Sequence, residues 1–189
     1  MKALLLDDVV ARGGRTIVRR KRIEDVKDEF RWRSDPELAT FDASRPVQTP
    51  FPHYERNWAF DFRFTDMAQR SFAIEDADGQ HIGNVMYYNL DQTRREAEIG
   101  ISIGERDAWG HGYGSDALSA LVRVLFAGSE VRRLYLHTLD WNGRAQRCFE
   151  KVGFQPCGTS WRDGNTFVMM ELWREQVIPV RPSAPAVTA

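Results

Sequence analysis

The sequence predicts a mixed α/β domain in which antiparallel strands lead into a parallel β-α-β crossover, and three stretches carry that expectation. Phe72 to Glu75 and Ile82 to Tyr88 flank the pair Asp78-Gly79, the pattern of an antiparallel hairpin. In Glu96 to Ile103, the residues Ala97, Ile99, Ile101 and Ile103 alternate with Glu98, Gly100 and Ser102, a period of two that marks a strand with one apolar face. Leu118, Leu121, Val122 and Leu125 then recur at helical spacing, and Leu134 to Leu139 reads as the next strand. Strand, helix and strand in such close succession favour parallel neighbours joined by a right-handed crossover.

The other elements follow in chain order. Arg15 to Arg20 holds Ile17 and Val18 among polar residues and predicts a first strand, while Glu24 to Arg33 predicts a helix that stops at Pro36, with irregular chain beyond it. Pro46, Pro50 and Pro52 disfavour a continuous helix and predict a loop into an aromatic-rich helix from about His53 to Met67. Past the crossover, Arg144 to Val152 places Ala145, Cys148, Phe149 and Val152 on one helical face and ends at Gly153. Phe154 to Gly158 and Phe167 to Trp173 are expected to close the sheet. A chain of 189 residues suits one compact domain, taken as 1–175, with 176–189 a loose tail rich in Pro, Ala and Val.

Composition narrows the function classes. A hydrophobic fraction of 42% with 28% charged residues is that of an ordinary soluble globular protein. A net charge of -1 argues against a general nucleic-acid binder, which needs an excess of Lys and Arg to neutralise phosphates. No apolar run approaches the roughly 20 residues of a membrane span. Met1 to Val10 carries Asp7 and Asp8 where a signal peptide would be apolar. The only two cysteines, Cys148 and Cys157, form no CxxC pair and fit a reducing compartment, so a cytoplasmic location is expected.

The segment with chemical content is Trp109-Gly110-His111-Gly112-Tyr113-Gly114, placed between a strand and a helix. Glycines let backbone approach a diphosphate and adopt positive φ, and the unpaired amides of a helix start add partial positive charge. There is no GxxxxGK[ST], and the glycines run GxGxG rather than GxGxxG, so P-loop and Rossmann fingerprints both fail; an NAD-dependent oxidoreductase is the weakest alternative.

Glu96 to Asp116, EAEIGISIGERDAWGHGYGSD, resembles the acyl-coenzyme A segment of the GNAT superfamily of N-acetyltransferases, [QR]-x-x-G-x-[GA], here Trp109-x-x-Gly112-x-Gly114. The Trp and the added Gly110 are similar to the ribosomal-protein N-acetyltransferase branch, the RimJ/RimL-like proteins. Asn142 to Phe154, NGRAQRCFEKVGF, looks like that family's next motif. The resemblance implies a GNAT-like fold of six to seven strands and about four helices, with the parallel pair splayed. It also implies acetyl-CoA as co-substrate with no metal, and a protein or small-molecule amine as acceptor. Many relatives dimerise, so a homodimer is compatible with it.

By the same resemblance, Ile101 and Ile103 offer backbone groups to the pantetheine arm, His111, Gly112, Tyr113, Gly114 and Ser115 surround the pyrophosphate, and Trp109 and Gly110 are counted with the cofactor-binding residues. Asn142, Ala145 and Phe149 border the cofactor arm; an Asn that opens a helix is also a good cap. An alkyl ammonium with a pKa of about 10 must lose a proton before it attacks, and Glu98 is the candidate base. Glu96 and Glu98 are equally consistent with the solvent side of an edge strand. Phe149 stands where many relatives have a proton-donating tyrosine, so Tyr113, Tyr135, Ser102 or water is left to protonate the thiolate. Loss of that donor is also what a non-catalytic acyl-CoA-binding module would have. Trp32, Trp58, Phe60, Phe62 and Phe64 are candidates for an acceptor wall or for core, and Asp35, Glu37 and Asp42 for attracting a cation or for ordinary surface. His53, His81 and His137 are expected to be structural rather than metal ligands.

Overall fold

Eight strands form one sheet in the computed structural model, which describes residues 8–63 and 70–177. They are β1 (Val9–Arg12), β2 (Ile17–Arg20), β3 (Arg70–Glu75), β4 (His81–Asp91), β5 (Glu96–Ile103), β6 (Arg133–Leu139), β7 (Gln155–Arg162) and β8 (Asn165–Trp173). The spatial order is β1-β2-β3-β4-β5-β6-β8-β7, antiparallel at every step but β5–β6. The helices are α1 (Val26–Ser34), α2 (Pro36–Phe41), α3 (Phe51–Arg63), α4 (Tyr113–Gly128), α5 (Gly143–Val152) and α6 (Arg174–Val177).

The hairpin, the striped strand and the crossover stand where their periodicity predicted them. Three elements differ, one of them α6, which runs across the expected domain end at 175. β1 has only four residues, too few for alternation to register in the sequence, and raises the strand number to eight. Pro36 does not leave irregular chain behind it: it opens α2 at the first helical position, where its missing N–H costs nothing, and the Asp35 carboxylate caps the amides of Glu37 and Leu38 at 2.8 and 3.2 Å. The expected helix end near Met67 and most of the loose tail fall outside the described residues. Among those residues, no helix is long and apolar enough to cross a membrane.

Helix α4 buries Leu118, Leu121, Val122 and Phe126, each at most 1% exposed, in one apolar cluster with Val18, Val85, Ile99, Leu134 and Leu136 of the sheet. At roughly 1.5–3 kcal/mol per large apolar side chain removed from water, this layer dominates the stability of the crossover and fixes where α4 begins.

The parallel pair is short. β5 and β6 are in register only at Glu96↔Arg133, Ala97↔Leu134 and Glu98↔Tyr135. Beyond Glu98, β5 stays with β4 (Met86↔Gly100, Gly83↔Ile103) while β6 stays with β8 (His137↔Met169, Leu139↔Phe167). The strands therefore part like the arms of a V. The amide of Gly104 bonds the Ile82 carbonyl on β4 at 2.9 Å, so alternation turns the backbone groups of Ile101 and Ile103 the other way, into the gap.

Candidate active site

A cleft of about 740 Å³ fills that gap and continues under α1 and α2. One end is closed by the start of α4. Gly110 and Gly112 have φ of 79° and 85°, the left-handed region in which a side chain is strained, and a Cβ on Gly110 would meet nothing within 4 Å. Glycine is thus required by conformation, while the space beside it is left open. The first intrahelical bond runs from the Asp116 amide to the Gly112 carbonyl at 3.0 Å, so the amides of Tyr113, Gly114 and Ser115 have no acceptor within the helix. Gly114 serves packing instead: a Cβ there would lie 3.3 Å from Cys148 Sγ on α5. Burial pushes the Cys148 thiol up to about 11, which leaves it a neutral lining group rather than a nucleophile.

The cradle is braced from outside. Asp116 accepts from the amides of Gly14 and Arg15 at 2.8 and 2.9 Å and from the Thr16 hydroxyl at 2.7 Å, tying the β1–β2 turn to α4. Arg15 reaches on to the His111 carbonyl at 3.0 Å. Burial alone would raise the Asp116 carboxyl, but these donors outweigh it and hold it below its ordinary value. A depressed folded-state pKa contributes stability that is present above the unfolded value of about 3.9 and is lost as pH falls through the folded one. Asp116→Asn is expected to lower the thermal midpoint at pH 7, with the gap to wild type closing below about pH 4. A gap independent of pH would remove the charge from this account.

Trp109 is a clamp. Its indole donates to the Ile103 carbonyl at 2.7 Å, its ring meets Phe41 of α2 edge-on, and the Arg144 guanidinium stacks 3.6 Å above it. Trp109 borders the cleft as expected, with its indole N–H spent on one of the two lone pairs of the Ile103 carbonyl. Arg144 thereby joins the two motifs physically. His111 is exposed and is not part of the cleft lining.

Ile101, Ser102, Tyr113 and Ser115 line the cleft, as do Asn142, Ala145 and Phe149. The Asn142 oxygen caps α5 by accepting from the Ala145 amide at 3.1 Å. Phe149 is 5% exposed and packs edge-on against Phe154.

Glu98 is not on a solvent edge. It is 6% exposed on a central strand, and its carboxylate accepts from Asn89 Nδ2 at 2.9 Å and from the Tyr88 hydroxyl at 3.3 Å, with His137 Nδ1 2.7 Å away. The cleft is bordered by Tyr88 and His137 rather than by Glu98 itself. Burial, then the nearby Glu98 charge, pushes the Tyr88 hydroxyl far up, so it remains a donor at neutral pH. Glu96, the other carboxylate of the strand, is paired with Arg133 at 2.7 Å. The expectation that His137 is merely structural missed this cluster; the signal was strand parity, which puts Tyr135 and His137 on the Glu98 face once Glu98↔Tyr135 is the register.

Among the other candidates, Trp32 lines the cleft, whereas Trp58 donates to Glu29 Oε2 at 2.9 Å. The side chains of Phe62 and Phe64 are outside the described set. Asp42 lines the cleft; Asp35 and Glu37 are instead bound to Arg106. His81 is buried against Trp32, with Nδ1 3.3 Å from Asp28. Among the described residues, no cluster of His, Cys, Asp and Glu is arranged to hold a metal.

A model of the acetyltransferase (GNAT) domain matches residues 15–155. The chain belongs to the GNAT acetyltransferase family. This GNAT chain is 29% identical over 89 residues to the spermidine N(1)-acetyltransferase of Vibrio cholerae, a match spanning 47% of the chain and about half, 51%, of that relative. It is 25% identical over 149 residues to the uncharacterized N-acetyltransferase p20 of Bacillus licheniformis, covering 76% and 81% of the two. Two solved structures share the fold at 20% identity. The Vibrio cholerae spermidine N-acetyltransferase with coenzyme A and spermine has a TM-score of 0.74 and covers 85% of this chain and 96% of its own. An aminoglycoside acetyltransferase with coenzyme A has a TM-score of 0.70, covering 85% and 95%. The splay, the open amides at the start of α4 and the positive-φ glycines all lie within the matched residues.

Proposed function

We propose that this protein moves an acetyl group from acetyl-coenzyme A to the primary amine of a small cationic acceptor, by direct attack with both substrates bound. One observation carries the proposal: a single cleft has an anion cradle at one end and a buried, hydrogen-bonded carboxylate cluster opening onto its floor. The amides of Tyr113, Gly114 and Ser115 would hold the diphosphate, and the backbone of Ile101 in the splay would align the pantetheine arm and thioester. Bound acetyl-coenzyme A supplies the activated acyl group. The Glu98 cluster receives the proton that an ammonium with a pKa of about 10 must give up. Tyr113 and Ser102 face the same cleft and remain the protein donors for the departing sulfur, since Phe149 has no proton to give.

The acceptor half is lined by Glu29 and Asp42 with aromatic Phe41 and Trp32, beside Lys21 and Arg33, so a cationic acceptor would have carboxylates and rings to meet. That agrees with relatives named for spermidine and aminoglycosides. A protein N-terminal amine is the second candidate, supported by the Trp109 and Gly110 pair alone. The test is thiol release from acetyl-coenzyme A with spermidine, kanamycin and a short peptide offered in turn. Spermidine or kanamycin is expected to give turnover well above the no-amine rate. If coenzyme A raises the thermal midpoint but no amine releases thiol, the chain is an acyl-coenzyme A binding module instead.

A further inference from the structure

We infer that His137, not Glu98, is the group that takes the proton from the incoming amine, with Glu98 acting through it as a positioning carboxylate. The inference rests on the acyl-transfer proposal above and names the contact that proposal leaves open. Glu98 is sealed from the cleft by its partners: Tyr88 and Asn89 donate to its oxygens, and it sits 2.7 Å from His137 Nδ1. An ionised carboxylate only accepts, so Nδ1 must carry the hydrogen in that bond, and Nε2 is left with its lone pair. His137 lines the cleft, and Nε2 has no hydrogen-bond partner among the described residues. The free basic atom at the cleft floor is therefore imidazole nitrogen.

The groups facing the ring all support this division of roles. Glu98 approaches from β5 and stabilises the imidazolium once formed. Tyr88 from β4 and Tyr135 from β6, the latter with its ring 6.1 Å from that of His137, have raised hydroxyl pKa values and stay neutral. Arg162 from β7 bears on Tyr88. β8 places Met169 opposite His137 in the ladder, without charge. The proton balance closes. The acceptor ammonium gives one proton to Nε2, and its freed lone pair forms the C–N bond as the C–S bond breaks. The nitrogen then sheds its second proton; of the two, one ends on the thiolate and the other leaves to solvent from the imidazolium.

The test compares His137→Ala, His137→Gln and Glu98→Gln with wild type, using the amine of the panel that wild type acetylates fastest. Coenzyme A affinity by calorimetry serves as the folding control and is expected to be unchanged in all three. His137→Ala is expected to lose about a hundredfold in kcat, in the range typical of a general base, and to lose the acidic limb of the pH–rate profile that His137 contributes. Free imidazole is expected to restore part of that rate. Glu98→Gln can still accept from Nδ1, so it is expected to keep more activity than His137→Ala and to move the acidic limb to lower pH. If Glu98→Gln is the more damaging change, or if His137→Ala keeps the wild-type profile while wild type turns over, His137 is not the acceptor and the acyl-transfer proposal stands alone. If wild type acetylates no amine, both fall together.

Discussion

Gly112→Glu is expected to weaken coenzyme A binding at least about tenfold and as much as a thousandfold, measured by calorimetry on folded protein. Two effects add. A side chain at a φ of 85° costs on the order of 1–3 kcal/mol of backbone strain, which distorts the residue that begins α4. The new carboxylate would lie against the amides of Tyr113, Gly114 and Ser115 and compete there with a diphosphate of like charge. Each 1.4 kcal/mol is a factor of about ten in affinity. Gly112→Ala introduces the strain without the charge, so the difference between the two variants measures the electrostatic part. Unchanged affinity in the glutamate variant would mean that no anion binds at this corner.

The largest loss of stability is expected from Arg19→Met. Arg19 is 3% exposed, and its guanidinium bonds both oxygens of Asp25 at 2.8 Å and Glu75 at 2.5 Å. A methionine, which replaces little more than the aliphatic stem, leaves two carboxylates inside the protein without their main counter-charge, and breaking a buried pair in this way typically costs about 3–5 kcal/mol. Arg22 contacts Glu75 at 3.1 Å and moderates the loss at that end only. Arg19→Lys keeps the charge but not the fork that meets both Asp25 oxygens, and is expected to fall between wild type and methionine. Urea unfolding decides it: a loss under about 1 kcal/mol would show the network to be replaceable by apolar packing. Asp25 also neighbours His81, which packs on Trp32 at the cleft, so the methionine variant is expected to raise the KM for the acceptor more than that for acetyl-coenzyme A.

Legibility along this chain followed the range of the interactions involved. The β5 stripe, α4 and the glycines before it each satisfy a local rule, so their residues named them. β1 did not, because a four-residue strand exists only through its pairing with β2 and through Asp116, 102 residues on from Gly14. Pro36 misled because the same residue ends one helix and starts another, and the choice lay with the Asp35 cap. Trp109 was named by its motif, whereas its indole bond to Ile103 has no signature in the sequence. His137 was passed over because a histidine in a strand has no local signature of use.

By itself the sequence determined the order of elements from β3 to β8, the position of the turn before α4 and the family motifs, since periodicity and positive-φ glycines act within a few residues. Only the tertiary structure decided where β5 and β6 part and which side chains meet across the opening. That outcome depends on α4, β4 and β8 pulling the two strands toward different partners. It also sets Glu98 behind His137, because a buried carboxylate is held in place by the donors that fold around it, and three of those donors come from two other strands.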